Sequence, residues 1–122
     1  MTYSFWLRCA AGVMLVSVAA GAFGAHALKA RLSPEMLAIW ETGARYQAYH
    51  GLALFVVAWL AERHPARTVN IAGWCFLAGI LLFSGSLFSL ALTGERRLGA
   101  ITPLGGLAFL MGWAALALGR LG

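Results

Sequence analysis

Four long stretches of this chain carry no formal charge, and they constrain its fold more than any other feature. Residues 9–28 form an uncharged run of 20, residues 46–61 one of 16, residues 68–94 one of 27 and residues 98–119 one of 22. A helix of about 17–25 apolar residues crosses the roughly 30 Å of hydrocarbon in a bilayer. Three of the runs meet that length directly. The second is short and must borrow from its N-terminal side, with Arg45 extending its guanidinium to the interface. Inside lipid the backbone is satisfied only in helices or closed barrels, and these runs lack the alternation of barrel strands. The expected fold is therefore all-α. It is a single domain over residues 1–122, a bundle of four transmembrane helices running up-down-up-down at about 5–28, 46–62, 69–93 and 99–119.

Charge supports this reading and excludes others. Charged residues make up 11% of the chain, against about 25% in soluble domains, which excludes a large soluble enzyme and a disordered tail. The formal charge of +5 arises from nine Lys and Arg against four acids. These cations are scattered between apolar runs rather than gathered on one face, so nucleic acid is not an expected partner. They also fail to orient the bundle. Arg8, Arg63, Arg67 and Arg120 fall at one end, and Lys29, Arg31, Arg45, Arg96 and Arg97 at the other, which leaves no bias for the positive-inside rule to act on.

Between the first two runs, Ser33-Pro34-Glu35 is a helix start: a serine cap, proline at the first helical position, and an acid at the positive dipole end. Met36, Leu37, Trp40 and Ala44 follow on one stripe, with Glu41 and Arg45 paired on another. The stretch at about 33–45 is expected to lie amphipathically in the interface and turn into the second span near Gly43. Arg8, the apolar stretch behind it and Ala25-His26-Ala27 also have the format of a signal peptide; the segment is expected to stay as the first span. The other connections, residues 62–67 and 94–97, are short, so the helices they join are antiparallel neighbours. A faint echo pairs Ala11-Gly12, Leu15 and Ser17 with Ala78-Gly79, Leu82 and Ser84, in residue types too common in membranes to establish a repeat.

Helices in lipid associate through close packing and hydrogen bonds, because the acyl chains are as apolar as leucine. Ser17, Gly21 and Ala25, with Ala20 and Gly24 beside them, form a ridge of small residues on the first helix; Gly85 and Ser89 form one on the third, and Ala108 and Gly112 one on the fourth. Gly21, Gly24, Ala25, Gly85, Gly105 and Gly112 are the expected packing positions, within the bundle or along a homodimer seam. The five tryptophans, Trp6, Trp40, Trp59, Trp74 and Trp113, mostly fall near span ends and are expected to anchor at the headgroups.

Polar groups within spans are the functional candidates. Sorted by depth, His26, Gln47, His50, Ser84, Ser86, Ser89, Thr93 and Thr102 share one side of the bundle, and Asn70 and His64 the other. His26, Gln47, His50, Ser84, Ser86 and Thr102 are the candidate cluster. Two histidines can relay protons or ligate a metal, but a zinc site wants three or four protein ligands. The chain has no Asp, and Glu41 is the one nearby acid. No metal and no cofactor is expected, and the histidines are read as neutral pins between helices. Glu41 with His50 is the sole acid–base pair an enzyme at the headgroup level would have. At the start of the fourth span Thr102 is expected to cap, Pro103 to enter the first turn, and Gly105 and Gly106 to admit a neighbouring backbone. Cys9 and Cys75 are expected to be buried free thiols; spacing does not decide whether they approach.

In order and spacing, several landmarks together resemble one family. They are Gly21-Ala22-Phe23-Gly24-Ala25-His26-Ala27-Leu28, Trp40-Glu41-Thr42-Gly43 with Tyr46-Gln47 and His50, and Leu82-Phe83-Ser84-Gly85-Ser86-Leu87. Thr93-Gly94, Gly99 with Ile101-Thr102-Pro103-Leu104-Gly105-Gly106, and Gly112-Trp113 complete the set. The chain resembles domain-of-unknown-function family 423, the YgdD-like small inner-membrane proteins, which include a eukaryotic transmembrane relative. Phe88 stands where many relatives carry tyrosine, so no role is carried over for a phenol there. The resemblance implies a four-helix membrane protein and supplies no reaction, substrate or catalytic residue. The resulting expectation is a non-enzymatic structural or interaction protein, multi-pass in the bacterial inner membrane. Its partners would be lipids and either a second copy or another membrane protein. The alternative is an oligomeric carrier of a small molecule or ion, working through the polar cluster around His26 and His50.

Overall fold

Local capping sets where the first two helices begin. In the computed structural model, which describes residues 1–120, the Thr2 hydroxyl accepts from the Phe5 N–H at 3.3 Å and opens α1, Tyr3–Phe23. Ser33 accepts from the Met36 N–H at 3.2 Å, Pro34 follows where its missing N–H costs nothing, and α2 runs Pro34–Arg63. Helix α3, Arg67–Gly79, continues through a π-helical turn, Ile80–Ser84, into α4, Gly85–Thr93. Gly94 ends α4 with φ of 74°, a left-handed conformation that glycine adopts without strain. A 3₁₀ turn, Arg96–Ala100, then leads to α5, Thr102–Leu118. The described residues contain helices and turns and no strand.

Three stretches are long and apolar enough to cross a membrane: Tyr3–Leu28, Arg67–Thr93 and Arg96–Leu118. Helix α2 is not among them, although it is 30 residues long. Its sequence carries Glu41, Arg45, Gln47 and His50, and the structure shows where the uncharged members of that set go. Gln47 and His50 lie on the buried stripe with Trp40, Gly43, Leu54 and Val57. The least apolar helix keeps its polar stripe against its neighbours and turns an apolar face, with Tyr49, Leu52, Val56 and Trp59, outward.

The expected division of this region is corrected. Helix α2 passes through Gly43 without a break, so residues 33–45 are its cap and first turns, not a separate segment turning into a span. Gly43 serves as a socket: a Cβ there would lie 3.0 Å from the Phe88 ring and 3.3 Å from Leu87.

Opposed contacts order the rods. Trp40 of α2 sits level with Ala20 of α1, and Gln47 with Val13, so the two helices run in opposite directions. Phe76 meets Gly112, Phe83 meets Gly105, and Thr68 donates to the Arg120 carbonyl at 2.8 Å, which opposes the α3–α4 rod and α5 in the same way. Where acyl chains solvate the exterior, burial of apolar surface drives little, and dispersion across such close contacts holds the rods together. Glycines opposite aromatic rings recur through the core. A Cβ on Gly24 would strike the Trp40 indole at 2.7 Å, one on Gly112 the Phe76 ring at 2.6 Å, and one on Gly73 the Trp6 ring.

The expected packing positions divide on this test. Gly24, Gly105 and Gly112 face a neighbour, whereas added side chains at Gly21 and Gly85 would meet nothing within 4 Å, and Ala25 is exposed. The small-residue ridge at Gly21 and Ala25 therefore points away from the core. Gly43, Gly51, Gly73 and Gly79 do packing work that residue spacing did not single out.

The tryptophans are corrected as well. Trp6 is 0% exposed, and its indole donates to Asn70 Oδ1 at 3.0 Å. Trp40 is buried and donates to the Ala20 carbonyl at 2.9 Å. These two fasten helix to helix, because an indole N–H in an apolar interior needs an acceptor and a neighbouring helix supplies it. Trp59 and Trp74 do face outward. Both cysteines are free and half-buried.

Candidate functional site

On a helix, residues three and four apart share a face, so Gly43, Tyr46, Gln47 and His50 bring a carbonyl, an amide and an imidazole to one side of α2. Helices α1, α3–α4 and α5 pack around that side and decide what each group meets.

The His50 ring is bonded at both nitrogens. Nδ1 lies 2.8 Å from the Tyr46 carbonyl, and the Trp113 indole nitrogen lies 3.0 Å from Nε2. An indole N–H only donates, so Nε2 accepts, and the proton sits on Nδ1, donated to Tyr46. The pair of bonds thus assigns a neutral Nδ1–H imidazole. Phe109 stacks on it at a centroid distance of 3.6 Å with an interplanar angle of 7°, and Phe76 approaches at 5.5 Å. Two glycines make room: a Cβ on Gly79 would collide with Phe109, and one on Gly112 with Phe76. Glu41 is exposed on α2, and both His50 nitrogens are already engaged, so the two do not form an acid–base pair.

About two helical turns toward the N-terminus of α2, the π turn carries the next polar group. Widening of the helix, with the Gly85 N–H donating to the Ile80 carbonyl, brings Ser84 against α2, where its hydroxyl donates to the Gly43 carbonyl at 2.7 Å. Turns of this kind are frequent at functional positions. Ser86 donates to the Phe83 carbonyl at 3.0 Å, which uses its one hydrogen. The Thr102 hydroxyl, 2.6 Å away, therefore donates to Ser86. The expected cap at Thr102 is corrected accordingly: it is the first residue of α5, no side chain caps that helix, and its hydroxyl joins α5 to α4.

Gln47 is 5% exposed and donates from Nε2 to the Val13 carbonyl across a long 3.4 Å. Its Oε1 has no partner, and neither has the hydroxyl of Ser17, one turn beyond Val13 on α1. Beside Gln47 the α1 and α3–α4 rods part and leave a crevice of about 190 Å³. Val16 and Leu81 form its exposed rim, Ile80, Gly85 and Phe88 its wall, and Gln47 with Ser84 its buried floor.

The structure therefore places Gln47 and His50 on the inner side of α2 with Ser84 bonded to it at Gly43, and Ser86 with Thr102 at the contact of α4 with α5. It does not bring in His26, which lies exposed on a second π turn, Gly24–Leu28, and whose imidazole takes part in no side-chain hydrogen bond among the described residues. Widening of the helix after Phe23, where the Trp40 indole lies against Gly24, turns His26 outward. Among the described residues, no three His, Cys, Asp or Glu side chains converge. Sequence reasoning missed Trp113, Phe109 and Asn70 as partners. Asn70 carried a signal in being the lone amide at its end of the bundle; Trp113 and Phe109 carried none, since a ring in an apolar helix reads alike on every face.

A family model described as "Protein of unknown function (DUF423)" matches residues 20–106, a range containing the whole candidate cluster. The chain is 51% identical to the UPF0382 membrane protein YwdK of Bacillus subtilis over 100 residues, 81% of each chain. It is 49% identical over 107 residues to the UPF0382 membrane protein SERP0230 of Staphylococcus epidermidis, covering 88% of this chain and 87% of that one. It is 48% identical over 102 residues to the UPF0382 membrane protein SH2409 of Staphylococcus haemolyticus, covering 84% and 83%. No solved structure matches.

Proposed function

The chain belongs to the DUF423 family of membrane proteins, and from that starting point we propose that it is a structural or interaction protein, without a reaction of its own, that crosses the bacterial inner membrane several times. In this reading all four rods span, up-down-up-down. Helix α2 crosses because its neighbours shield Gln47 and His50 from lipid, and the outward residues of the other rods contact acyl chains and a second copy or another membrane protein.

One observation carries the proposal. The polar groups that a carrier would need along a path are spent on joining helices: His50 to Trp113, Ser84 to Gly43, and Ser86 to Thr102. A histidine bonded at both nitrogens and stacked on Phe109 is a poor relay, because proton uptake at Nε2 would first break the Trp113 bond that holds α5 on α2, and release from Nδ1 the bond to Tyr46 within α2. The crevice lies beside Gln47, and its lining does not include His26, His50 or Ser86.

Flux separates the readings. The full chain is reconstituted in proteoliposomes holding a pH-sensitive dye, and an ion gradient is imposed. The expected leak equals that of protein-free vesicles. A flux that depends on the protein and disappears in His50→Ala would replace the structural reading with a carrier.

A further inference from the structure

We propose that the crevice between α1 and the α3–α4 rod binds the ring-sized, hydroxyl-bearing head of a membrane lipid, with the hydroxyl donating to Gln47. Access comes from the bilayer in the spanning arrangement proposed above, on which this inference rests. The rim residues Val16 and Leu81 are 50% and 73% exposed on two of the stretches apolar enough to span, so in that arrangement the mouth opens sideways into acyl chains.

Size selects one ring. The crevice holds about 190 Å³; an apolar cavity of about 150 Å³ accepts benzene, and pockets for larger ligands begin at about 300 Å³. Its wall of Ile80 and Phe88 suits an aromatic face.

Chemistry selects the hydroxyl. Gln47 Oε1 is a buried acceptor with no donor, and an amide oxygen only accepts, so an ether or ketone on the ring leaves it unpaired while an O–H satisfies it. Ser84 Oγ keeps lone pairs that could accept, but it is already paired through its bond to Gly43, so Gln47 Oε1 is the acceptor that gains most from a donor. The Gln47 amide is held by a single 3.4 Å bond to Val13, so rotation toward an incoming donor gives up little. A donor that enters through this mouth arrives on a molecule that dissolves in hydrocarbon, which points to a phenol- or quinol-type ring on an apolar tail.

The test uses the full chain in nanodiscs titrated with 4-decylphenol and with its methyl ether, each corrected by empty nanodiscs. The phenol is expected to bind about tenfold tighter than the ether, and the difference should disappear in Gln47→Leu. Gly85→Leu fills the crevice from a position where an added Cβ meets nothing within 4 Å; it should abolish saturable binding of both compounds without unfolding the bundle. Equal binding of phenol and ether by the natural chain, as a lone buried water at Gln47 would give, overturns the proposal. So does a preference that persists in Gln47→Leu, or binding retained by Gly85→Leu, which decides the matter should Gln47→Leu not fold. Binding of 4-methylphenol as tight as that of 4-decylphenol overturns the assignment to a lipid.

Discussion

The Trp113 indole donates to Nε2 of His50 at 3.0 Å across 63 residues of sequence. That bond fixes the histidine's tautomer, ties α5 to α2, and sets the imidazole flat against Phe109. Interhelical hydrogen bonds in membranes contribute on average about 0.6 kcal/mol, with a maximum of about 1.7. A double-mutant cycle of His50→Leu and Trp113→Phe should return a coupling energy within that range, measured by unfolding the detergent-solubilised protein in SDS. Additive effects would show that the stacked rings, and not the bond, carry the contact.

Glycine substitutions should separate sockets from open faces. A Cβ on Gly105 would run into the backbone of Phe83, which cannot rotate away, whereas one on Gly85 meets nothing within 4 Å. Gly105→Ala should destabilise by about 1–3 kcal/mol through overpacking. Gly85→Ala should stabilise by up to about 1 kcal/mol, because it relieves glycine's entropic cost in a helix. Melting temperatures of the two variants in one detergent check the opposite signs.

Asn70 Oδ1 accepts from both the Met1 amino terminus and the Trp6 indole, each at 3.0 Å. Asn70→Leu leaves the N–H of a tryptophan that is 0% exposed without an acceptor, at a cost of about 1–3 kcal/mol. The expected signature is a red shift and quenching of Trp6 fluorescence as that end of α1 admits water, read in a chain whose other four tryptophans are replaced by phenylalanine. An unchanged spectrum would mean that packing alone holds Trp6.

In the connection before α5, the side chain and backbone N–H of Arg97 both donate to the Glu95 carboxylate and hold its pKa below the usual carboxylate value. A depressed folded-state pKa adds stability that is present above the unfolded value and lost as pH falls through the folded one. Glu95 is exposed, so the contribution is small. The melting temperature of the natural chain should decline slightly more than that of Glu95→Gln between neutral and acidic pH, with the gap closing at the acid end. A gap that widens on acidification would reverse the assigned sign.

The chain's residues alone determined its helical class, three long apolar stretches, the start of α2 at Ser33-Pro34, and the polar residues inside the bundle, of which Gln47, His50, Ser84, Ser86 and Thr102 bond across helices. These depend on local chemistry: the length of uncharged runs, cap geometry, and the fixed rise and period of a helix. Rotation of each helix about its own axis was left open. In a helix apolar on every face, no polar stripe marks the inside, so Gly21 and Gly24 look equally fit for packing although only Gly24 meets Trp40. Tertiary structure alone made that choice. It turned His26 outward, gave His50 a partner on α5, and left Gln47 Oε1 unpaired, because shape complementarity between whole helices, summed over many weak contacts, outweighs the preference of any single residue.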